Sequence, residues 1–448
     1  MSKTFSIGGI HPNDSKFSKD QAIEDLPIPK RVFLPMNQHL GMPSVPVVKK
    51  GDRVKVGQKV ADPAGFVSAP VHASVSGTVT EVALYPDFQG KRVTTIVIET
   101  EGDEWLESID RTQQVKQEIT IVPEETFRKI TEMGIVGLGG AAFPTHVKLT
   151  PIEGMAPEYL ILNGSECEPF LTSDYRLMIE HGQEILIGAE LMRRVLGTNV
   201  NGIIGIEENK PLAIQAMKKI TANYLQWKVV PLKKRYPQGG EKQLIDALLQ
   251  RKVASFALPI STGAIVQNVG TAFAVYEAVQ KGKPLISNVL TVTGSDLSVQ
   301  ENYRFRVGTP IQDILEAAGA LDKDGKLLSH FVKVVNGGPM MGKAVVNLQA
   351  PVVKSSSGLL LLTEKETKRR EPGECIRCAK CFQACPMRLQ PYLLYQLALA
   401  GRTEELDEHR VFDCIECGCC LYTCPARIPL LDQIRLAKNA LLKNKRKK

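Results

Sequence analysis

The sequence CIRCAKCFQACP occupies residues 375 to 386, and CIECGCCLYTCP occupies residues 414 to 425. Both stretches share the spacing CxxCxxCxxxCP. Thiolates are soft, anionic donors that bridge iron well, and two-residue gaps let three of them converge on one face of a cubane cluster. A zinc site or a disulfide pair has little use for two such runs that each end in Cys-Pro. The two stretches therefore predict a pair of [4Fe-4S] clusters and a role in electron transfer.

The pairing of cysteines between the two runs follows from the geometry of two-cluster proteins, in which the fourth cysteine of each run ligates the other cluster. We expect the two sets to be Cys375, Cys378, Cys381 and Cys424, and Cys414, Cys417, Cys420 and Cys385. Cys419 is left over as a packing thiol. The connection between the runs includes the helix-like sequence PYLLYQLALAG, so residues 366 to 442 are predicted to form an α-helical ferredoxin module.

Length and composition set broad limits on the rest of the chain. At 448 residues, a prior of roughly 150 residues per domain suggests several domains. An apolar fraction of 43% and a charged fraction of 23% are ordinary for a globular protein. No apolar run approaches the ~18 residues that span a bilayer, and no hydrophobic signal region is seen, so we expect a cytoplasmic chain.

The net charge of +8 is modest for this length, and part of it lies in a basic tail at residues 443 to 448. Such a tail is either simply solvated or attracted to an anionic membrane surface or an acidic protein. No basic groove is combined with aromatic stacking residues or a helix-turn-helix pattern. Nucleic acid is therefore not an expected partner.

Residues 1 to 110 contain short β-branched runs that Gly and Pro interrupt, which predicts an all-β domain. The strings GDRVKVGQKV and HASVSGTVTEV resemble the barrel-sandwich fold of biotinyl and lipoyl carriers. Carriers present a modifiable lysine at the hairpin between these halves, but here the hairpin contains Ser68, Ala69, Pro70, Val71 and His72. We therefore expect an unmodified, structural domain.

Helical and strand patterns alternate through residues 120 to 285, which predicts an α/β domain whose ligands bind at the carboxyl ends of the strands. The predicted elements are a helix behind Pro123 that ends at Gly134, a strand at 159–162, a helix at 176–196, a strand at 200–206, a helix at 210–225 and a strand at 227–232. Residues 286 to 363 mix strands with one helix, 310–318, and predict a small β-grasp-like domain. The fold class is thus multidomain α/β.

A second site is indicated by GIVGLGGAAFPTHVK, residues 134 to 148. Gly137, Gly139 and Ala142 match the dinucleotide fingerprint, but a helix precedes them where the fingerprint needs a strand. The adjacent Gly139 and Gly140 still let backbone N–H groups approach a phosphate closely. A phosphate-bearing ligand and a plain tight turn both remain possible interpretations.

The strand at 159–162 continues into Asn163-Gly-Ser-Glu-Cys-Glu-Pro169. Glu166 and Glu168 stand one residue apart at the ligand-binding end of this strand, where carboxylates accept hydrogen bonds from ribose hydroxyls or an amide. A solvated loop is the alternative. Cys167 between them is expected to pack.

Four segments in this order, GLGGAAFPTHVK, NGSECEP, YPQGGEKQLIDAL and VQNVGT, resemble the flavin and NADH segments of the flavoprotein subunit of respiratory complex I. The resemblance covers roughly residues 120 to 360. The whole chain, from GGIHP at residues 8–12 through the carrier-like domain to the doubled cysteine runs, is similar to the RnfC family, whose members are subunits of the Rnf electron transport complex.

The resemblance implies residue roles by position. It implies an FMN pocket lined by Gly137, Gly139, Gly140, Lys148, Asn163, Ser165, Asn268 and Thr271. It implies a nicotinamide nucleotide site at Phe143, Glu166, Glu168 and Glu241. Three positions depart from complex I: Ser165 replaces an acid, Gly240 the first of two glutamates, and Gln267 the first of two asparagines.

The resemblance further implies a peripheral subunit on the cytoplasmic side of the inner membrane, which passes electrons between NAD(H), FMN and the clusters. Its implied partners are the other Rnf subunits, membrane and peripheral, and indirectly ferredoxin, with electron flow coupled to Na+ or H+ movement. Hydride transfer needs no protein acid or base, so no catalytic residue is expected. A soluble reductase of the cobalamin-reductase type and a non-enzymatic relay subunit are the alternatives.

Overall fold

The computed structural model describes residues 2–368 and 371–445. The first region contains two small antiparallel sheets, ordered β2-β8-β7-β4 and β3-β5-β6. Their strands, preceded by β1 (Ile23–Asp25), are β2 (Arg31–Pro35), β3 (Val45–Pro46), β4 (Arg53–Val54), β5 (Lys59–Asp62), β6 (Val71–His72), β7 (Gly77–Pro86) and β8 (Arg92–Thr100). The predicted all-β region is therefore present. The hairpin at residues 68–72 is buried, and Lys354 donates from Nζ to the Pro70 carbonyl over 2.8 Å.

The central region is a parallel sheet flanked by helices, as the alternating pattern predicts. Its strands, in spatial order, are β11 (Trp227–Leu232), β10 (Asn201–Glu207), β9 (Tyr159–Gly164) and β12 (Ala264–Asn268). The helices are α1 (Pro123–Glu132), α2 (Thr145–Leu149), α3 (Ser173–Glu180), α4 (Gly182–Leu196), α5 (Pro211–Thr221), α6 (Glu241–Leu249) and α7 (Val269–Gln280), with a 3-10 turn at Pro259–Thr262. The β-branched and leucine runs of β9 and β10 are buried on both faces, which is typical of parallel strands.

Two helix predictions need correction. The single helix expected at 176–196 is two helices, α3 and α4, separated at His181. The His181 backbone lies outside the helical region, and its ring is held by Glu184 on one side and by Arg304 on the other. This tertiary contact overrides the continuous helical periodicity. The helix expected to reach residue 225 ends at Thr221.

The third region is a mixed sheet ordered β1-β14-β13-β17-β15-β16. Its elements are β13 (Ser287–Thr293), β14 (Glu301–Arg306), α8 (Ile311–Ala317), β15 (Phe331–Asn336), β16 (Lys343–Ala344) and β17 (Gly358–Thr363). The edge strand β1 comes from the beginning of the chain and pairs in parallel with β14. One hydrophobic cluster is shared between this sheet and the barrel-sandwich strands, so the two regions pack as neighbours.

The last region is helical. It contains α9 (Glu364–Thr367), α10 (Lys380–Ala384), α11 (Pro391–Leu399), α12 (Thr403–Glu408), a 3-10 turn at Val411–Asp413, α13 (Cys419–Thr423) and α14 (Leu430–Lys445). The helix predicted from PYLLYQLALAG is α11, and α11 packs on α14. Part of the basic tail, residues 446–448, lies outside the described residues.

Candidate flavin and iron-sulfur sites

The carboxyl ends of β9 and β12 lie side by side, with Asn163 and Asn268 paired in register. Asn163 donates from Nδ2 to the carbonyl of Gly239 over 2.9 Å, and its Oδ1 accepts from the Ser165 amide at 3.1 Å. Asn268 caps α7 by accepting from the Gly270 amide at 2.7 Å. The two predicted asparagines thus lie side by side at the carboxyl-terminal edge of the parallel sheet, where its strands end.

The glycine-rich loop lies above this edge. It follows α1 rather than a strand, as expected, and it is closed by a hydrogen bond from the Gly137 amide to the Phe143 carbonyl of 2.8 Å. The Leu138 amide donates to Thr271 Oγ1 at 2.9 Å. A Cβ on Gly139 would lie 3.4 Å from Cβ of Asn268, which shows how closely the loop backbone approaches the strand end.

Two further predicted residues form an ion pair at this edge. Lys148 on α2 donates from Nζ to Glu241 Oε1, the first residue of α6, over 2.7 Å, and to the Val266 carbonyl over 3.1 Å. Both side chains are partly exposed. The structure therefore joins Lys148 and Glu241, which the resemblance to complex I assigns to different ligands.

The side chains of Glu166 and Glu168, just after the end of β9, contact different parts of the chain. Glu166 accepts hydrogen bonds from the amides of Asp174 (2.8 Å) and Tyr175 (3.3 Å) at the start of α3. Glu168 accepts from the amides of Met340 (3.1 Å) and Met341 (2.7 Å), in the turn after β15. Both carboxylates are thus engaged by the backbone, and burial raises the pKa of the Glu168 carboxyl to about 7.

A group of buried charges beneath this loop was not found from the sequence. Lys16 donates from Nζ to the carbonyls of Glu166 (2.9 Å) and Glu168 (2.8 Å), and Lys210 donates to the Ser165 carbonyl (2.7 Å). Asp174 accepts from Asn268 Nδ2 at 2.7 Å, and burial beside Glu166 raises the pKa of Asp174 to about 7. These residues come from three distant parts of the chain, so no local spacing reveals them. Only the position of Lys16 just behind the GGIHP segment could have drawn attention to it.

The residues at this edge fit a flavin phosphate and ring system. Among the described residues, the buried Ser165 Oγ and Gln267 Nε2 have no hydrogen-bond partner. Both stand at or next to the ends of β9 and β12, beside the glycine loop. A buried polar atom without a partner is unfavourable, so these two atoms are suited to a polar ligand. Gly140, with φ +106° and no atom of the described chain within 4 Å of a Cβ position, leaves the loop open on its outer side.

The eight predicted cluster cysteines separate into two sets. One cleft is lined by Cys375, Cys378, Cys381 and Cys424, which we call the outer set. A second cleft is lined by Cys385, Cys414, Cys417 and Cys420, which we call the inner set. In each case the fourth cysteine of one run lines the same cleft as the first three of the other. The assignment of these sets to two clusters stays a prediction. Within the described residues no three possible ligands approach closely enough to share a single metal ion, whereas a cubane cluster holds its cysteines further apart.

The inner set is attached to the α/β region. Tyr236 is buried and donates from Oη to the Cys417 carbonyl over 2.9 Å. Cys419, which is fully buried, packs with Tyr236 and Ile10 and also lines the inner cleft, so its role as a packing thiol stays a prediction. Burial raises the pKa of the Cys414 thiol to about 11. Cys375 and Cys378 of the outer set are exposed.

Three family models match the chain, each over one of these regions. The RnfC barrel sandwich hybrid domain matches residues 3–103, the Nuo51 FMN-binding domain matches residues 130–277, and a 4Fe-4S dicluster domain matches residues 367–425. Fold and site thus define an electron-transfer protein that combines an FMN-binding α/β domain with a dicluster iron-sulfur domain.

Curated relatives resemble the chain over nearly its whole length. It is 43% identical to the C-subunit of the proton-translocating ferredoxin:NAD(+) oxidoreductase complex of Clostridium ljungdahlii, over 91% of this chain and 87% of the relative. It is 40% identical to the C-subunit of the Na(+)-translocating complex of Acetobacterium woodii, over 98% of each chain. The C-subunit of the ion-translocating oxidoreductase complex of Rhodobacter capsulatus is 38% identical, over 100% of this chain and 85% of the relative. The chain belongs to the RnfC family of Rnf complex subunits.

Proposed function

We propose that the chain is the peripheral NAD(H)-binding subunit of an ion-translocating ferredoxin:NAD+ oxidoreductase and carries FMN and two [4Fe-4S] clusters. The observation that carries this proposal is the order of the sites. The proposed flavin site lies at the carboxyl ends of β9 and β12, next to the loop that contains Glu168. Tyr236, which lies near this loop, is hydrogen-bonded to Cys417 of the inner set, whereas Cys375 and Cys378 of the outer set are exposed to solvent. This order suits a route from a nucleotide to an external acceptor.

The FMN would be held by the glycine loop, by the strand-end residues Asn163, Ser165 and Asn268, and by Thr271 and Lys148. When bound, a flavin converts between two-electron hydride transfer from a nicotinamide and the one-electron steps that iron-sulfur clusters support. Ser165 Oγ would gain a partner that the described residues do not give it. Lys148 supplies a positive charge at the same edge.

The nicotinamide nucleotide would bind on the open side of the glycine loop, where Phe143 and Glu241 are accessible at least in part. We assign Glu166 and Glu168 a supporting role there, because their oxygens accept from backbone amides of α3 and of the turn after β15. They hold the loop that carries Ser165 and so fix the floor of the pocket. In their ionised forms they also contribute negative charge to the electrostatic environment of the flavin.

The partners in this proposal are the other Rnf subunits and, through them, ferredoxin. No helix within the described ranges is long and apolar enough to cross a membrane. We propose that the subunit docks through protein contacts on the cytoplasmic side of the inner membrane, where the basic residues of 443–448 could add salt-sensitive attraction. The mixed sheet of residues 286–363 would serve as a β-grasp-like spacer between the barrel-sandwich region and the cysteine clefts.

The test is anaerobic reduction of the purified, reconstituted protein by NADH. We expect about eight iron atoms per chain, bleaching of the flavin absorbance, and two interacting paramagnetic centres in electron paramagnetic resonance (EPR) spectra. Asn268→Ala should weaken flavin retention because it removes the α7 cap and the bond to Asp174, while iron content stays unchanged. Four irons per chain, zinc in their place, or a flavin that NADH does not bleach would contradict the proposal.

A further inference from the structure

Residues 3 to 18, which we call the strap, contact three parts of the molecule in order. These are the parallel sheet, the inner cysteine set and the loop at residues 165–171. The strap begins beside β11, the outermost strand of the parallel sheet. There the Lys3 amide donates to the Pro231 carbonyl (2.9 Å), and the Lys233 amide donates to the Lys3 carbonyl (2.8 Å). Phe5 is buried in the core beneath the sheet, and the guanidinium of Arg235 lies 4.4 Å from its ring centroid. Arg235 also donates to the carbonyls of Phe5 and Gly8.

The middle of the strap lies against the inner cysteine set. The Gly9 amide donates to the Ala384 carbonyl over 2.9 Å, and Ile10 exchanges two backbone hydrogen bonds with Tyr236, of 2.8 and 2.9 Å. Gly8 has φ +70°, and a Cβ there would lie 2.5 Å from the carbonyl carbon of Cys385. Such an approach is possible only for glycine, so the strap backbone is in direct contact with a cluster ligand's backbone.

The end of the strap holds the loop at residues 165–171. Lys16 donates to three carbonyls of this loop, those of Glu166, Glu168 and Leu171. The Asp14 carbonyl accepts from the Phe170 amide at 2.8 Å. Burial lowers the pKa of Lys16 to about 8, and the cation is compensated by Glu166 and Glu207 nearby. Lys16 therefore fixes the orientation of the loop that forms the floor of the flavin pocket.

We propose that the strap is a positioning element for electron transfer, which sets the separation between the flavin pocket and the inner cysteine set. One short segment is bound at one end to the loop of Glu166 and Glu168 and is hydrogen-bonded at its middle to Ala384, whose neighbour Cys385 it also contacts, so it links the two sites directly. Electron transfer rates fall steeply with separation. This inference rests on the proposed function, since it concerns the passage of electrons from flavin to cluster.

The test uses Gly8→Ala, with Gly102→Ala as the matched control. Gly102 has φ +69°, almost the same as Gly8, but no atom of the described chain lies within 4 Å of its Cβ position. Backbone strain is therefore equal in the two variants, and only Gly8→Ala displaces the Cys385 backbone. Arg235→Lys is a milder second variant, because lysine cannot reach both strap carbonyls as the guanidinium fork does.

Stopped-flow mixing with NADH separates the steps by following flavin bleaching and cluster reduction in the reconstituted protein. In Gly8→Ala we expect flavin bleaching at the wild-type rate and cluster reduction slowed by about tenfold or more, with Gly102→Ala like wild type. Arg235→Lys should show a smaller effect of the same kind. If Gly8→Ala loses inner-set iron, the rate of cluster reduction in Arg235→Lys at full iron content decides the outcome.

Wild-type rates of cluster reduction in both Gly8→Ala and Arg235→Lys, at full flavin and iron content, would overturn the inference. Equal slowing in Gly102→Ala would overturn it as well, because strain alone would then explain the effect. If NADH fails to bleach the flavin of the wild-type protein, the proposed function fails instead, and the two failures are thus distinguishable.

Discussion

The two cysteine runs have the same spacing but different surroundings. Cys385, Cys417 and Cys420 of the inner set are buried, whereas Cys375 and Cys378 of the outer set are exposed. Cys417 packs in one cluster with Tyr236, Met340 and the strap residue Ile10. Reduction potential and reactivity of a cluster depend on burial, hydrogen bonds and nearby charge. The comparison teaches that one spacing can recur in two different environments, so we expect the surrounding residues, and not the motif, to make the two sites differ in potential and accessibility.

The largest expected difference separates Cys417→Ser from Cys378→Ser. Each change removes one ligand, so each should lower the iron content by about four atoms per chain. In Cys378→Ser, NADH should still reduce the remaining inner cluster. In Cys417→Ser, it should no longer reduce the outer cluster, because the intermediate site is lost. EPR spectra recorded after anaerobic addition of NADH measure the reduction of the remaining cluster in each variant. A Cys417→Ser protein whose outer cluster is reduced normally would show that electrons do not pass through the inner site first.

A smaller difference is expected from Tyr236→Phe. The change leaves the buried Cys417 carbonyl without its 2.9 Å donor, at a cost of about 1–3 kcal/mol. We expect the inner cluster to lose iron faster to a chelator, with the outer cluster unaffected. Tyr392→Phe is the matched control, since Tyr392 lines the outer cleft and its hydroxyl bonds only the exposed Gln390 in the described structure. Similar iron loss in both variants would show that the tyrosine contact does not distinguish the sites.

Cys419→Ser tests whether proximity to the inner set implies ligation. Cys419 is buried among apolar residues and lines the same cleft as the inner set. Serine is nearly isosteric, so iron content should remain that of the wild type, with a loss of thermal stability of at most a few degrees. Cys420→Ser, one residue further, should lose about four irons. If Cys419→Ser loses iron to the same extent, the third ligand of the second run is Cys419.

Several features of the fold could be predicted from the sequence because they depend on local patterns. The strands β9, β10 and β11 follow from short apolar runs, and Pro123 and Gly134 mark the limits of the helix that precedes the glycine loop. The predicted grouping of the cysteines comes from a spacing rule, and each predicted set lines one cleft.

Other features depend on contacts between distant residues, which no periodicity encodes. Lys16 reaches the Glu168 loop across 152 residues of chain, and Tyr236 reaches Cys417 across 181. The break between α3 and α4 lies at His181, whose ring contacts Arg304 on the distant strand β14. The roles of Glu166 and Glu168 were inferred from a strand end, but their backbone partners on α3 and after β15 became visible only in three dimensions.

The smallest expected effect concerns pH and again distinguishes the two clusters. Burial raises the pKa of Glu168 to about 7, and this carboxyl lies on the inner side, where its charge acts on Cys417. The folded-state pKa lies above the usual value of 4.5, so the group is neutral in acid and becomes negative as the pH rises through 7. A negative charge opposes addition of an electron. The reduction potential of the inner cluster should therefore fall as the pH rises from 6 to 8. The slope should be smaller than the ~59 mV per pH unit that full coupling of one proton to one electron gives.

Glu168→Gln, which cannot ionise, should flatten this slope for the inner cluster and leave the outer cluster unchanged. Redox titrations followed by EPR at pH 6, 7 and 8 measure both potentials in one sample. The sign is the informative part: protonation at pH 6 must make the inner cluster easier to reduce. An inner potential that is independent of pH in the wild type, or one that rises with pH, would mean that Glu168 does not act on the inner site. An equal slope at both clusters would indicate a group common to them, and the distinction between a buried and an exposed cluster would then not explain their pH dependence.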